Sequence, residues 1–111
     1  MALDRFVYFK NEAPPREEVQ NLLHDFFNEA FIDIIWSGGR FFITLPGQQS
    51  DPYKQITGKM RSIQNGPRFI EVYIGDDNID IITRHGDAYT SCIAEGLANV
   101  IARAWNGKRE S

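Results

Sequence analysis

Residues 87–105, DAYTSCIAEGLANVIARAW, carry an apolar stripe that obliges the rest of the chain to offer a surface for it. Tyr89, Ile93, Leu97, Val100, Ile101 and Ala104 recur at the 3.6-residue period of a helix, with Ser91, Glu95, Asn99 and Arg103 opposite. Asp87 is placed to cap this helix: its carboxylate accepts a first-turn N–H and suits the positive end of the dipole. Asn106-Gly107 supplies a stop, with Arg103 and Lys108 near the negative end. A long helix with one oily side needs a sheet to lie on.

The remaining segments read as strands and a second helix. Residues 5–9 (RFVYF) are aromatic and β-branched, as strands are. Pro14-Pro15 opens a helix with φ already set, and Glu17 and Glu18 occupy its positive first turn. Val19, Leu22, Leu23, Phe26 and Ala30 form its stripe, while Gln20, Asn21, His24 and Asn28 face away. Residues 31–36 (FIDIIW) and 40–45 (RFFITL) flank Ser37-Gly38-Gly39, the pattern of a hairpin. Residues 68–74 (RFIEVYI) alternate, with Ile70, Val72 and Ile74 on one face and Phe69, Glu71 and Tyr73 on the other. An acidic turn follows, and residues 79–83 (IDIIT) return.

Residues 47–67 are either an irregular helix opened by Asp51-Pro52 and interrupted near Gly58, or a basic loop over a binding site. Residues 108–111 read as a frayed tail. The order β-α-β-β-(α)-β-β-α predicts one α+β domain over residues 1–111, a mostly antiparallel five-stranded sheet with its helices on one face. The first six elements resemble the order of a ferredoxin-like unit, a likeness of fold that implies no activity.

Charge narrows the function classes. A net charge of −3 and a pI near 5.3 argue against a general binder of nucleic acid or of anionic membranes. The distribution is uneven: residues 34–70 hold Arg40, Lys54, Lys59, Arg61 and Arg68 against Asp51 alone, whereas 71–87 hold Glu71, Asp76, Asp77, Asp80 and Asp87 against Arg84. Such a dipole could orient two copies head to tail. The single cysteine, Cys92, reads as a small semi-buried hydrophobe on the long helix. With no leader-like apolar segment in MALDRFVYFK and no long apolar run, the expected setting is the cytoplasm.

The sharpest chemical signal is Arg84-His85-Gly86 at a strand end. It resembles the phosphate-handling triplet of histidine phosphatases, where the His accepts a phosphoryl group and the Arg grips its oxygens. On that likeness His85 and Arg84 are the candidate catalytic pair of a phosphate-ester enzyme. The surroundings oppose it, since the family's triplet opens a much larger domain and nearby carboxylates repel phosphate. The only other histidine, His24, projects from the polar side of its helix.

No metal site is read: one Cys and two His have no ligand spacing, and the acidic turn lacks the pattern of an EF-hand loop. No cofactor motif appears, and a small-molecule ligand is left open. RNA binding would rest on Arg40, Lys54, Lys59, Arg61 and Arg68 with Tyr53, Phe42 and Phe69 as stacking rings, but neither aromatic strand carries the spacing of an RNA-reading sheet. The expected role is non-catalytic: protein–protein contact, through a homodimer or another protein partner. Phe31, Ile35, Phe69, Glu71 and Tyr73 are the expected interface, rings flanked by charge on the sheet face the helices leave open.

Overall fold

Six strands and two helices form the fold in a computed structural model, which describes residues 3–28, 32–45, 68–84 and 88–110. In chain order they are β1 (Leu3–Tyr8), α1 (Arg16–Phe26), β2 (Asp33–Ser37), β3 (Arg40–Leu45), β4 (Arg68–Ile74), β5 (Asn78–Thr83), α2 (Ala88–Ala104) and β6 (Lys108–Glu110). The strands make one sheet of order β2-β3-β4-β5-β1-β6, antiparallel at every pairing. The class is α+β, as the sequence indicates, with one strand more than expected.

Local chemistry explains the boundaries. Pro15 is the N-cap of α1 in extended backbone (φ −62°, ψ 153°), and its carbonyl accepts the N–H groups of Glu18 and Val19, both at 3.1 Å. Glu17 and Glu18 then complement the dipole in the first turn. Between β2 and β3, Gly38 and Gly39 adopt φ of 63° and 79°. Positive φ at both central residues is what a type I′ turn requires, and that turn matches the twist of the strands it joins.

Alternation sorts the side chains into two faces. Val7, Phe41, Ile43, Leu45, Ile70, Val72, Ile79 and Ile81 point to one side and are buried there against Val19 and Leu23 of α1 and Ala94, Leu97, Ala98 and Ile101 of α2. The helices therefore share one face of the sheet. They run close at Gly96, where an added Cβ would lie 3.7 Å from Phe26 Cζ. Each fully buried Leu or Ile contributes about 1.5–3 kcal/mol by leaving water.

Several expectations need correction. Residues 108–110 are a sixth strand, paired with β1 from Phe6↔Glu110 to Tyr8↔Lys108, not a frayed tail. The cause lies at the end of α2, where Asn106 takes a positive φ of 53° and Gly107 N–H donates to the Ala102 carbonyl at 2.7 Å. That reversal lays the chain beside β1, and Gly107 passes so close that a Cβ there would meet Val7 Cγ1 at 2.7 Å and Phe9 Cε1 at 2.8 Å. The likeness to a ferredoxin-like unit ends with the element order. In a split β-α-β unit the two strands flanking the helix run the same way with a single strand between them, whereas here three strands, β3, β4 and β5, separate β1 from β2.

The buried arc of α2 is Thr90, Ala94, Leu97, Ala98 and Ile101, rotated from the predicted stripe, so Tyr89 stays 42 % exposed and Ala104 is exposed. Small residues win the sheet-facing positions because they let the helix axis approach. Cys92 is exposed rather than semi-buried, on the turn opposite that arc. The predicted cap Asp87, the stripe residue Ala30 and the ambiguous stretch 47–67 lie outside the described residues.

Candidate interaction face

The second face of the sheet has no described helix over it. Sequence alternation and register assemble it: Asp33, Ile35 and Ser37 from β2; Arg40, Phe42 and Thr44 from β3; Phe69, Glu71 and Tyr73 from β4. Asp80 and Ile82 of β5 and Phe6 and Tyr8 of β1 continue it. Of the expected interface residues, Ile35, Phe69, Glu71 and Tyr73 thus share one face, and Phe31 lies outside the described residues.

At the middle of that face is a carboxylate that alternation alone would leave in water. Glu71 is only 4 % exposed. Arg40 Nε approaches its Oε1 at 2.7 Å, as an ion pair out of line for a hydrogen bond. Arg84 Nε donates to its Oε2 at 2.5 Å, and the Tyr73 hydroxyl donates to Oε1 at 3.3 Å. The Arg40 guanidinium also lies 5.5 Å above the Phe42 ring and 5.7 Å from that of Tyr73, a cation–π arrangement that roofs the carboxylate. Phe42 and Phe69 complete the surround with ring centroids 5.0 Å apart. Two cations on one buried anion leave little charge for a ligand; the hydrogen bond to Glu71 also pushes the Arg84 pKa above its ordinary value.

Toward β1 the face carries a second carboxyl. Asp80 lies in register between Tyr73 and Phe6, and its Oδ1 is buried without a hydrogen-bond partner. Burial, reinforced by Asp4, raises its pKa to about 6. Phe6 and Tyr8 stack beside it at 5.9 Å.

Toward β2 the face opens. Ile35 is 56 % exposed, the most exposed of the large apolar side chains among the described residues. It lies on an edge strand of apolar character, DIIWS, with exposed Trp36 beside it. The other edge, β6, is three residues long and reads Lys-Arg-Glu. Charged, short edges resist pairing with foreign strands, and long apolar ones invite it.

The remaining candidates are dispersed. Arg84 is 57 % exposed and engaged with Glu71, while its proposed partner His85 lies outside the described residues. His24 is exposed on α1. Of the expected RNA-contacting cations, Arg40 is committed to Glu71, and Arg68 is buried with the opposite alternation, on the helix side. Lys54, Lys59 and Arg61 lie outside the described residues. The acidic turn is used by the backbone: the carbonyls of Asp76 and Asp77 accept the N–H groups of Ala13 and Phe9 at 2.9 and 2.8 Å.

The sequence reading passed over a second ion network at the α2 edge. Arg5, 4 % exposed, donates to Glu95 Oε1 at 2.6 Å, to Ser91 Oγ at 2.7 Å and to Thr83 Oγ1 at 3.2 Å. Arg109 donates to Glu95 Oε2 at 2.8 Å and to Asn99 Oδ1 at 2.7 Å. Arg5, Glu95, Asn99 and Arg109 help wall an open groove of about 500 Å³, in which both cations are drawn onto Glu95. The signal was present in β1, where Arg5 has the parity of Val7 and Phe9, and a charge on the core face demands partners.

Comparison with known proteins adds no relative: no family model, no curated protein and no solved structure matches the chain.

Proposed function

We propose that this chain is a non-catalytic interaction module that works by contact, with a second copy of itself as the partner and the cytoplasm as its setting. The observation that carries the reading is the exposure of Ile35 on an apolar edge strand, at the open end of a face whose central carboxylate, Glu71, is paired with Arg40 and Arg84. Apolar surface framed by satisfied charges has the composition of an interface centre.

Sedimentation across a concentration series tests it. Wild type is expected to pass from monomer to dimer, and Ile35→Lys to remain monomeric with an unchanged unfolding transition. A wild type that stays monomeric throughout, or a variant that dimerises equally well, overturns the reading. The phosphate-ester alternative has less support, because Arg84 is held by a carboxylate. RNA binding has less support too, because Arg40 and Arg68 lie on opposite sides of the sheet.

A further inference from the structure

We infer that the partner copy adds its own β2 to β2, antiparallel about a two-fold axis through Ile35, so that two six-stranded sheets become one. This rests on the reading of the chain as a self-associating module and specifies the geometry of that contact. Backbone accounting selects the register. In the Gly38-Gly39 turn the Ser37 carbonyl and the Arg40 N–H face one another as a hydrogen-bonded pair. Antiparallel strands alternate such pairs, so Ser37, Ile35 and Asp33 spend their N–H and C=O groups on β3. The polar backbone groups of Ile34 and Trp36 therefore point to the open edge, where no described residue pairs with them.

Centring the two-fold on Ile35 sets Ile34 against the partner's Trp36 and Trp36 against the partner's Ile34. Every outward group of the strand then finds a complement. Shifting the pairing by two residues in either direction leaves one of those two without an opposite number from β2.

Side chains favour the same register. On the open face Ile35 meets the partner's Ile35, burying the most exposed large apolar side chain among the described residues against its own copy. Asp33, the only charge on β2, falls opposite the partner's Ser37, whose hydroxyl is a donor. A register that paired Asp33 with itself would set two carboxylates face to face, which destabilises a cross-strand pair. On the helix side Ile34 meets the partner's Trp36, which is held edge-on to Phe41 at 4.8 Å and lies under Arg16 at 5.1 Å. The strand carries no proline, lysine or bulge to block approach, in contrast with β6. An edge contact of five residues is small, so a dissociation constant on the order of 10 μM is expected.

Cysteine scanning in a Cys92→Ser background tests the register. Directly opposed residues in a non-hydrogen-bonded antiparallel pair bring their Cβ atoms within disulfide reach. Ile35→Cys should therefore crosslink to a covalent dimer under mild oxidation, and Ile34→Cys, opposite the partner's Trp36, at least tenfold less. Trp36→Pro, which removes an outward N–H while sparing the bonds to β3, should weaken dimerisation at least tenfold, and Tyr89→Ala, exposed on α2, should leave it within twofold. A dimer that fails to crosslink at 35 and is broken by Tyr73→Lys overturns edge pairing and leaves association through the sheet face standing. A wild type that is monomeric at several hundred micromolar overturns both.

Discussion

Breaking the Arg5–Glu95–Arg109 network from its two ends should have unequal costs. Arg5 is buried, and Glu95 is about half exposed. Glu95→Ala leaves a buried guanidinium with only the hydroxyls of Thr83 and Ser91, and leaves Arg109 with Asn99. Removing one partner of a fully buried pair costs about 3–5 kcal/mol. Water reaches the Glu95 side, so the cost here falls to about 2 kcal/mol. Arg5→Met removes the charge that needed compensation and leaves Glu95 bound to Arg109, so it should lie within about 1 kcal/mol of wild type. Urea unfolding followed by the fluorescence of Trp36 and Trp105 measures both, and about 2 kcal/mol corresponds to a midpoint shift of roughly 1 M.

The effect must also depend on pH. The Arg109 hydrogen bond, with help from Arg5 and against the opposing effect of burial, holds the Glu95 carboxyl below its ordinary value of 4.5. Its contribution is therefore complete above that value and is lost as pH falls through the lower folded-state value. Wild type and Glu95→Ala should differ at pH 7 and converge in acid. An Arg5→Met variant less stable than Glu95→Ala, or a pH-independent gap between Glu95→Ala and wild type, would refute the argument.

Other substitutions probe other parts of the fold. Asp80 has a raised pKa, so its ionisation costs stability as pH rises through about 6. Asp80→Asn should gain about 1–2 kcal/mol at pH 7.5 after allowance for solvent screening, and nothing near pH 3, as read by thermal melts. Gly107→Ala should lose about 1–3 kcal/mol in urea unfolding, because the added methyl meets Val7 and Phe9 and both are core residues. Leu97→Ala should cost about 2–5 kcal/mol while Tyr89→Ala costs under about 1 kcal/mol, which checks the rotation of the α2 arc by chemical denaturation.

Much of the architecture was legible because periodicity reports burial directly. RFIEVYI alternates in sequence as Ile70 and Val72 alternate with Phe69 and Tyr73 in the sheet, and Gly38-Gly39 announces its turn. Where the reading slipped, a tertiary contact outweighed the local pattern. The α2 stripe favoured Tyr89 by its apolarity, but close approach to the sheet selected Thr90, Ala94 and Ala98. Lys108–Glu110 has the composition of a tail, and only the room left by Gly107 makes it a strand. Glu71 looked like a rim charge; its burial depends on Arg40 and on Arg84, thirteen residues further on, and no sequence spacing encodes that encounter.

Salt distinguishes a contact made by backbone and apolar surface from one made by opposed charges. The uneven distribution of cations and carboxylates along the chain could in principle drive head-to-tail association. In the folded molecule, however, Arg40 and Arg84 from the two charge blocks converge on the same carboxylate, so part of that dipole is discharged internally. What remains at the β2 edge is Ile35, the backbone groups of Ile34 and Trp36, and a single carboxylate on Asp33. Screening acts on exposed charges and leaves desolvated backbone hydrogen bonds nearly untouched. Raising sodium chloride from about 50 to 500 mM should therefore change the dimer dissociation constant by less than about threefold, whereas a charge-steered contact should weaken by about tenfold or more. Sedimentation equilibrium at both salts measures this directly, and a steep loss of dimer would place the contact on the charged surfaces instead of the edge.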